Sequence, residues 1–219
     1  EPSPEVAACY ERFGIAHWLV DDYPEALKQY DRALGGMGRI TPQNGLLVAK
    51  IYLNTGLLFF DMGQYRLALQ RFTDAHHILS DTLHRRDSKV AKCLNNMAEC
   101  QLQLGETDQA LVLAREALLL EGRVGSPVSK LHCYIQETMA ACQMAQGNYD
   151  TAIAIYQQCL PYWQPENRDD LNGLVVEHQN LAEAYLKKGL PDEALRHLRK
   201  SFALMDTAFD AGSFQRVGV

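Results

Sequence analysis

The chain has 219 residues, 47% of them hydrophobic and 22% charged, which is ordinary for a soluble globular protein and excludes disordered and collagen-like classes. A formal net charge of −6 argues against a protein that binds mainly nucleic-acid phosphates or anionic membranes, because basic residues do not predominate. The longest apolar stretches are broken by Asn54, Asp61 or Glu116 and fall short of the roughly 18 residues that suggest a membrane span.

One pattern recurs five times along the chain with a constant spacing of 42 residues, and its most regular position is alanine: Ala26, Ala68, Ala110, Ala152 and Ala194. Twelve residues earlier stands a small residue in every copy: Gly14, Gly56, Ala98, Ala140 and Ala182. Four residues after the alanine stands a bulky one, with Ala114 as the exception: Tyr30, Phe72, Tyr156 and Leu198. Small residues let two helices approach closely and a large residue opposite fills the remaining space, so each copy is predicted to be a packed helix pair.

In chain order the repeats are predicted at about 4–40, 44–82, 88–124, 128–166 and 170–208, with 209–219 beginning a further repeat or a linker. Within each repeat a helix terminator precedes the alanine by five residues: Asp21, Gly63, Gly105, Gly147 and Gly189. Glycine just past a helix end adopts the left-handed conformation at least cost, and Asp tolerates it better than most residues. Polar joints separate the repeats, at 41–44, 85–88, 125–127 and 166–169, and the first and third of them contain Pro. No segment alternates like a strand, so the fold is predicted to be all-α with ten main helices.

The small and bulky positions, with Gly in the turn, resemble the tetratricopeptide repeat (TPR), as in NLAEAYLKKGLPDEALRHLRKSFAL from Asn180 to Leu204. The 42-residue period is similar to the variant found in kinesin light chains and in bacterial TPR-containing signalling regulators. This resemblance covers about residues 4–208 and implies a right-handed superhelix, an α-solenoid whose concave face is lined by the first helix of each repeat. It also implies a single array over 1–219 that binds proteins or peptides and is not an enzyme.

The resemblance places a set of hydrogen-bonding and basic side chains on the concave face: Arg12, Lys50, Asn54, Lys92, Asn96, Thr138 and Asn180. Asparagine is a poor residue for a helix interior, and a ladder of Asn side chains suits the backbone amides of an extended peptide. The same Asn side chains would also suit hydrogen bonds between neighbouring helices. An apolar groove floor is predicted from a further set that would equally suit the core: Trp18, Leu57, Phe60, Leu102 and Met144.

The leading functional interpretation is a peptide-binding TPR module, the sensory or docking region of a larger bacterial signalling or regulatory protein. The output would be a diguanylate cyclase, a kinase or a transcription regulator. The next repeat would fall beyond Val219, so more repeats are expected to follow. The alternatives are a structural assembly or cargo adaptor, possibly a homodimer through its terminal repeats, and a small-ligand or peptide sensor that tightens on binding.

The sequence carries no nucleotide-binding, hydrolase or metal-ligand motif, so no catalytic residue, cofactor or metal is predicted. Direct nucleic-acid and membrane partners are not expected either. The six cysteines lack CxxC spacing and are predicted to be small buried residues in a reducing compartment, in keeping with a cytoplasmic location.

Overall fold

The computed structural model of the protein describes residues 3–38, 40–41, 43–82, 87–122, 129–163 and 168–214. Parts of the predicted joints, at residues 42, 85–86, 125–127 and 166–167, lie outside the described residues, as do 215–219. The described part of the chain forms ten α-helices and one short 3-10 helix, which confirms the all-α prediction. The α-helices are α1 (Pro4–Trp18), α2 (Tyr23–Gly35), α3 (Gly45–Asp61), α4 (Tyr65–Thr82), α5 (Ser88–Gln103), α6 (Thr107–Glu121), α7 (Lys130–Ala145), α8 (Tyr149–Cys159), α9 (Arg168–Lys187) and α10 (Pro191–Phe214).

The turn inside each repeat has the predicted backbone conformation. The four turn glycines have φ between 71° and 82°, and Asp21, the exception in the first repeat, has φ of 60°. Asp21 also accepts a hydrogen bond from the Tyr23 hydroxyl at 3.2 Å. A left-handed residue therefore ends the first helix of all five repeats and directs the chain into the second helix.

The chain divides into two compact units, Glu1–Ser126 and Pro127–Val219, which we call unit 1 and unit 2. In unit 1, α1 packs on α2, α3 on α4 and α5 on α6, and the second helix of one repeat packs on the first helix of the next. The predicted pairing of small with bulky residues is confirmed there. A Cβ atom on Gly14 would lie 2.4 Å from the Tyr30 ring, and one on Gly56 would lie 2.6 Å from the Phe72 ring.

The cysteines show which helix faces are covered. Five of them are buried, and the Cys93 thiol donates a hydrogen bond to the Phe72 carbonyl of the preceding repeat at 3.1 Å. Cys9, at the equivalent position of α1, is exposed, because no helix of the described residues packs on that side of α1. The prediction that all six cysteines are buried is therefore wrong for Cys9.

Unit 2 contains α7 on α8 and α9 on α10, with α8 also packed on α9. Its core includes Ala140, Tyr156 and Leu181, and the 3-10 helix Leu160–Tyr162 leads into a second cluster of Cys133, Cys159 and Trp163. The last helix, α10, runs to Phe214. No helix in the described part of the chain is both long and apolar enough to cross a membrane.

Candidate ligand-binding site

Unit 1 contains a cavity of about 480 Å³ between the first helices α3 and α5, closed at one side by the end of α4. Its wall is mainly leucine, and lysine and asparagine side chains complete it. The lining residues are Leu46, Leu47, Lys50, Leu53, Asn54, Leu57, Leu79, Lys89, Lys92 and Asn96. The structure thus brings together four predicted polar residues, Lys50, Asn54, Lys92 and Asn96, and one predicted floor residue, Leu57.

Asn96 is the most informative residue of this wall. The residue is 7% exposed, and its side-chain amide has no hydrogen-bond partner among the described residues. An amide has two donors and an acceptor, and buried polar groups are nearly always hydrogen-bonded. The Asn96 amide therefore has hydrogen-bonding capacity that only a ligand or water in the cavity can use.

The positive charge of the cavity comes from Lys89 and Lys92. Lys92 is exposed and makes no ion pair with a described residue, and the Lys89 amine lies 3.9 Å from an Asp87 carboxylate oxygen, at the limit of an ion pair. Lys50 differs, because its amine is 3.1 Å from a carboxylate oxygen of Glu11. Arg12 is exposed and is not part of this lining. The cavity therefore joins an apolar wall to two amines at its edge.

Glu11, which the sequence analysis did not single out, fixes Lys50 and Asn54. Its side chain is almost fully buried, and it accepts hydrogen bonds from the Lys50 amine at 3.1 Å and from the Asn54 amide at 2.7 Å. The carboxylate belongs to α1 and both donors belong to α3, so the contact joins two repeats. Asn54 thus has the helix-linking role that the sequence left open.

Replacing Asn54 with alanine is expected to lower the free energy of unfolding by about 1–2 kcal/mol, because a buried carboxylate loses one of its two donors. Urea unfolding followed by circular dichroism measures the change. Asn96→Ala is the matched control, since its amide bonds to no described residue and its loss should leave stability nearly unchanged. Equal losses in the two variants would contradict the assigned roles.

The other predicted residues do not line this cavity. Thr138 donates to the Tyr134 carbonyl of its own helix at 3.1 Å, and Asn180 is half-buried in α9. Among the predicted floor residues, the Trp18 indole N–H donates to Asp61 at 2.8 Å and Phe60 packs edge-on against Tyr65. Leu102 is half-buried, and Met144 packs on the core of unit 2. These contacts belong to the framework of the helices, as expected for apolar residues at helical spacing.

Unit 2 contains a smaller cavity of about 310 Å³, between α7 and α9 beside the end of the 3-10 helix. Its wall is aromatic and partly acidic: Lys130, Tyr134, Glu137, Trp163, Asn172, Gly173 and Val176. The Tyr134 and Trp163 rings lie 5.4 Å apart between centroids, and the Lys130 amine is 2.5 Å from an Asp170 carboxylate oxygen. The sequence analysis named none of these residues as a site.

Glu177 and His178 are adjacent buried titratable groups on α9, in unit 2. Burial and the nearby charge of Glu137 raise the pKa of Glu177, whose side chain is fully buried and whose oxygens accept no hydrogen bond from a described residue. His178 meets His197 with 3.1 Å between their Nδ1 atoms, and Tyr185 stacks on His197. Burial lowers the pKa of His178 to about 4, so this pair is neutral at neutral pH.

Ten helices in consecutive pairs, with a small residue facing a bulky one and a left-handed residue in each turn, define a helical repeat protein of the TPR class. The tetratricopeptide repeat family matches residues 47–118 and 132–207. The chain therefore belongs to this family, whose members are generally binding modules. No curated protein sequence matches the chain.

Several solved structures share the fold. BtubC (BKLC) from P. vanneervenii is 18% identical, with a TM-score of 0.75 over 93% of this chain and 81% of that chain. A Podosopora anserina putative kinesin light chain with nearly identical TPR-like repeats is 14% identical, with a TM-score of 0.70 over 94% of this chain and 98% of that chain.

The Rap conjugation gene regulator of plasmid pLS20, solved in complex with a Phr peptide, is 18% identical, with a TM-score of 0.72 over 90% of this chain and 52% of that chain. The present chain thus spans about half the length of that regulator.

Proposed function

We propose that the cavity of unit 1 binds an extended peptide segment that carries a bulky apolar side chain beside acidic groups. The observation that carries this proposal is Asn96, a largely buried residue of the cavity wall whose side-chain amide has no partner among the described residues. An extended peptide offers both a backbone N–H and a carbonyl to such an amide.

The rest of the cavity supports the same ligand chemistry. The wall of leucines favours an apolar side chain, because burial contributes roughly 25 cal/mol for each Å² removed from water. Lys89 and Lys92 stand at the edge of this wall, and none of the described residues that line it carries a carboxylate. Their amines attract a carboxylate on the ligand and repel a basic group on it.

We further propose that the chain is the sensory or docking region of a larger signalling or regulatory protein. The similar fold of a conjugation gene regulator in complex with a peptide supports this role. A site that is formed before the ligand arrives lowers the cost of ordering on binding, and the unit 1 cavity is open between α3 and α5. Adaptor function through self-association is the alternative, and light scattering over a range of concentrations distinguishes the two.

Lys92→Ala and Asn96→Ala are each expected to weaken peptide binding about tenfold, since each removes an interaction of roughly 1.4 kcal/mol. The probe is a panel of fluorescein-labelled nonapeptides with a central leucine or phenylalanine flanked by aspartate and glutamate, measured by fluorescence polarisation. The Lys92→Ala effect should shrink as salt is raised, because it is electrostatic, whereas the Asn96→Ala effect should persist.

Two controls make this test specific. Lys28→Ala removes an exposed lysine of unit 1 that pairs with Glu25 and is not in the lining, so it should bind as the unsubstituted chain does. A second peptide panel replaces every acidic residue with lysine or arginine. Tighter binding of this basic panel, or unchanged affinity in both cavity variants, would contradict the proposal.

A further inference from the structure

The cavities of units 1 and 2 occupy the same positions of the repeat. Six residues of the unit 2 lining stand 84 residues, or two repeats, after residues that line the unit 1 cavity. They are Lys130, Tyr134, Glu137, Trp163, Gly173 and Val176, equivalent to Leu46, Lys50, Leu53, Leu79, Lys89 and Lys92. The fold therefore builds one kind of cavity twice, and the side chains determine what each can bind.

The chemistry of the two cavities is opposite. Every lysine that lines the first is replaced in the second: Lys50 by Tyr134, Lys89 by Gly173 and Lys92 by Val176. A carboxylate, Glu137, stands where the first cavity has a leucine. The amine that the second cavity does contain, that of Lys130, is already balanced by Asp170.

We propose that the unit 2 cavity binds a cationic side chain of the arginine or lysine type, held against the exposed Tyr134 ring and the Glu137 carboxylate, with Trp163 as the wall behind the tyrosine. The two rings are inclined at 60° with their centroids 5.4 Å apart, so they form two walls of the cavity. Aromatic faces attract cations, arginine most often, and a partly desolvated site strengthens the attraction.

The position of Trp163 depends on Gly173 of α9, which has no side chain. A Cβ atom on Gly173 would lie 2.3 Å from the indole ring, so this ring is seated directly on the helix backbone. Trp163 is 3% exposed, whereas Tyr134 is 47% exposed. The tryptophan is thus a rigid wall, and the tyrosine is the ring that a ligand reaches from solvent.

The charges around the cavity favour a cation. Lys130 is paired with Asp170, and the lining also contains the Glu137 carboxylate. Glu177 lies fully buried and close to Glu137. A guanidinium or ammonium group placed against Glu137 forms a charge-assisted hydrogen bond, and the Asn172 amide offers an additional acceptor.

The test uses the two tryptophans of the full chain as reporters. Their indole N–H resonances are recorded by ¹⁵N-correlated NMR, and the one lost in Trp18→Phe belongs to Trp18, in unit 1. Titration with N-acetyl-arginine amide is expected to shift the Trp163 resonance in a saturable way. N-acetyl-citrulline amide has the same shape without the charge and should need at least a tenfold higher concentration.

Variants test whether Glu137 and Tyr134 contact the bound arginine side chain. Glu137→Gln and Tyr134→Leu should each weaken the arginine response at least fivefold, and Glu183→Gln, an exposed carboxylate of α9 outside the lining, should not. Equal responses to arginine and citrulline, no response to either, or full binding by Glu137→Gln would overturn the proposal. It does not rest on peptide binding in unit 1, because the arginine response is read at Trp163 of unit 2 and should be the same in Lys92→Ala, which weakens only the unit 1 site.

Discussion

Replacing Gly56 with alanine is expected to lower the free energy of unfolding by about 3 kcal/mol. A Cβ atom at this position would lie 2.6 Å from Cε1 of Phe72, closer than real side chains approach. Phe72 is fully buried at the centre of unit 1, so its ring cannot move into solvent. The helices α3 and α4 must then separate, or the ring must leave its rotamer, and overpacking of this kind costs roughly 1–3 kcal/mol or more.

Urea unfolding of the full chain measures this loss, with Gly35→Ala as the control. Gly35 ends α2, and no described atom lies within 4 Å of the position that an alanine methyl group would take, so alanine there should be neutral or slightly stabilising. The double variant Gly56→Ala with Phe72→Leu should recover part of the loss, since the smaller side chain leaves room for the methyl group. Full stability in Gly56→Ala would show that the close approach of α3 and α4 is not required.

The repeat framework could be predicted from the sequence because its determinants are local and occur five times. A glycine or Asp21 ends the first helix wherever the pattern places it, and its positive φ depends only on the turn itself. The pairing of Gly14 with Tyr30 and of Gly56 with Phe72 follows from the fixed spacing within one repeat. Neither inference needs knowledge of a neighbouring repeat.

The cavity residues were less predictable because their partners lie in other repeats. Asn54 and Asn96 occupy the same repeat position, but Asn54 is bonded to Glu11 of the preceding repeat. Glu11 lies 43 residues before Asn54, and the residue 43 positions before Asn96 is Leu53, whose side chain has no hydrogen-bond acceptor. One Asn therefore links helices and the other faces the cavity. The difference appears only when residues 43 positions apart are compared.

The comparison of repeat positions would also have identified Glu177. The equivalent residues in the four earlier repeats are cysteine or isoleucine: Cys9, Ile51, Cys93 and Ile135. Ile51, Cys93 and Ile135 are buried, so a carboxyl group at this position enters an apolar layer. Such a departure from a buried apolar position indicates a residue retained at a cost to stability.

Replacing Glu177 with isoleucine is expected to raise the free energy of unfolding by about 3 kcal/mol at pH 8, since a buried acid that accepts no hydrogen bond is exchanged for an apolar side chain. Burial and the neighbouring Glu137 carboxylate, with a smaller effect of Cys133, raise the pKa of Glu177 from 4.5 to about 9. Tyr156 and Cys159 of α8 face the same group. The folded state therefore holds a proton that the unfolded chain releases above pH 4.5. Stability that is fully present below pH 4.5 is lost as pH rises toward 9.

Between about pH 7 and 8.5 the contribution of Glu177 to stability can be measured apart from that of the His178–His197 pair. The pKa of His178 is lowered from 6.5 to about 4, so its contribution is present above pH 6.5 and is lost only as pH falls. Thermal and urea unfolding at the two ends of this window should show the unsubstituted chain losing stability as pH rises. Glu177→Gln and Glu177→Ile should lose much less, whereas the exposed Glu183→Gln should behave as the unsubstituted chain. A pH dependence that persists in Glu177→Gln would assign it to another group and contradict the burial of an uncharged Glu177.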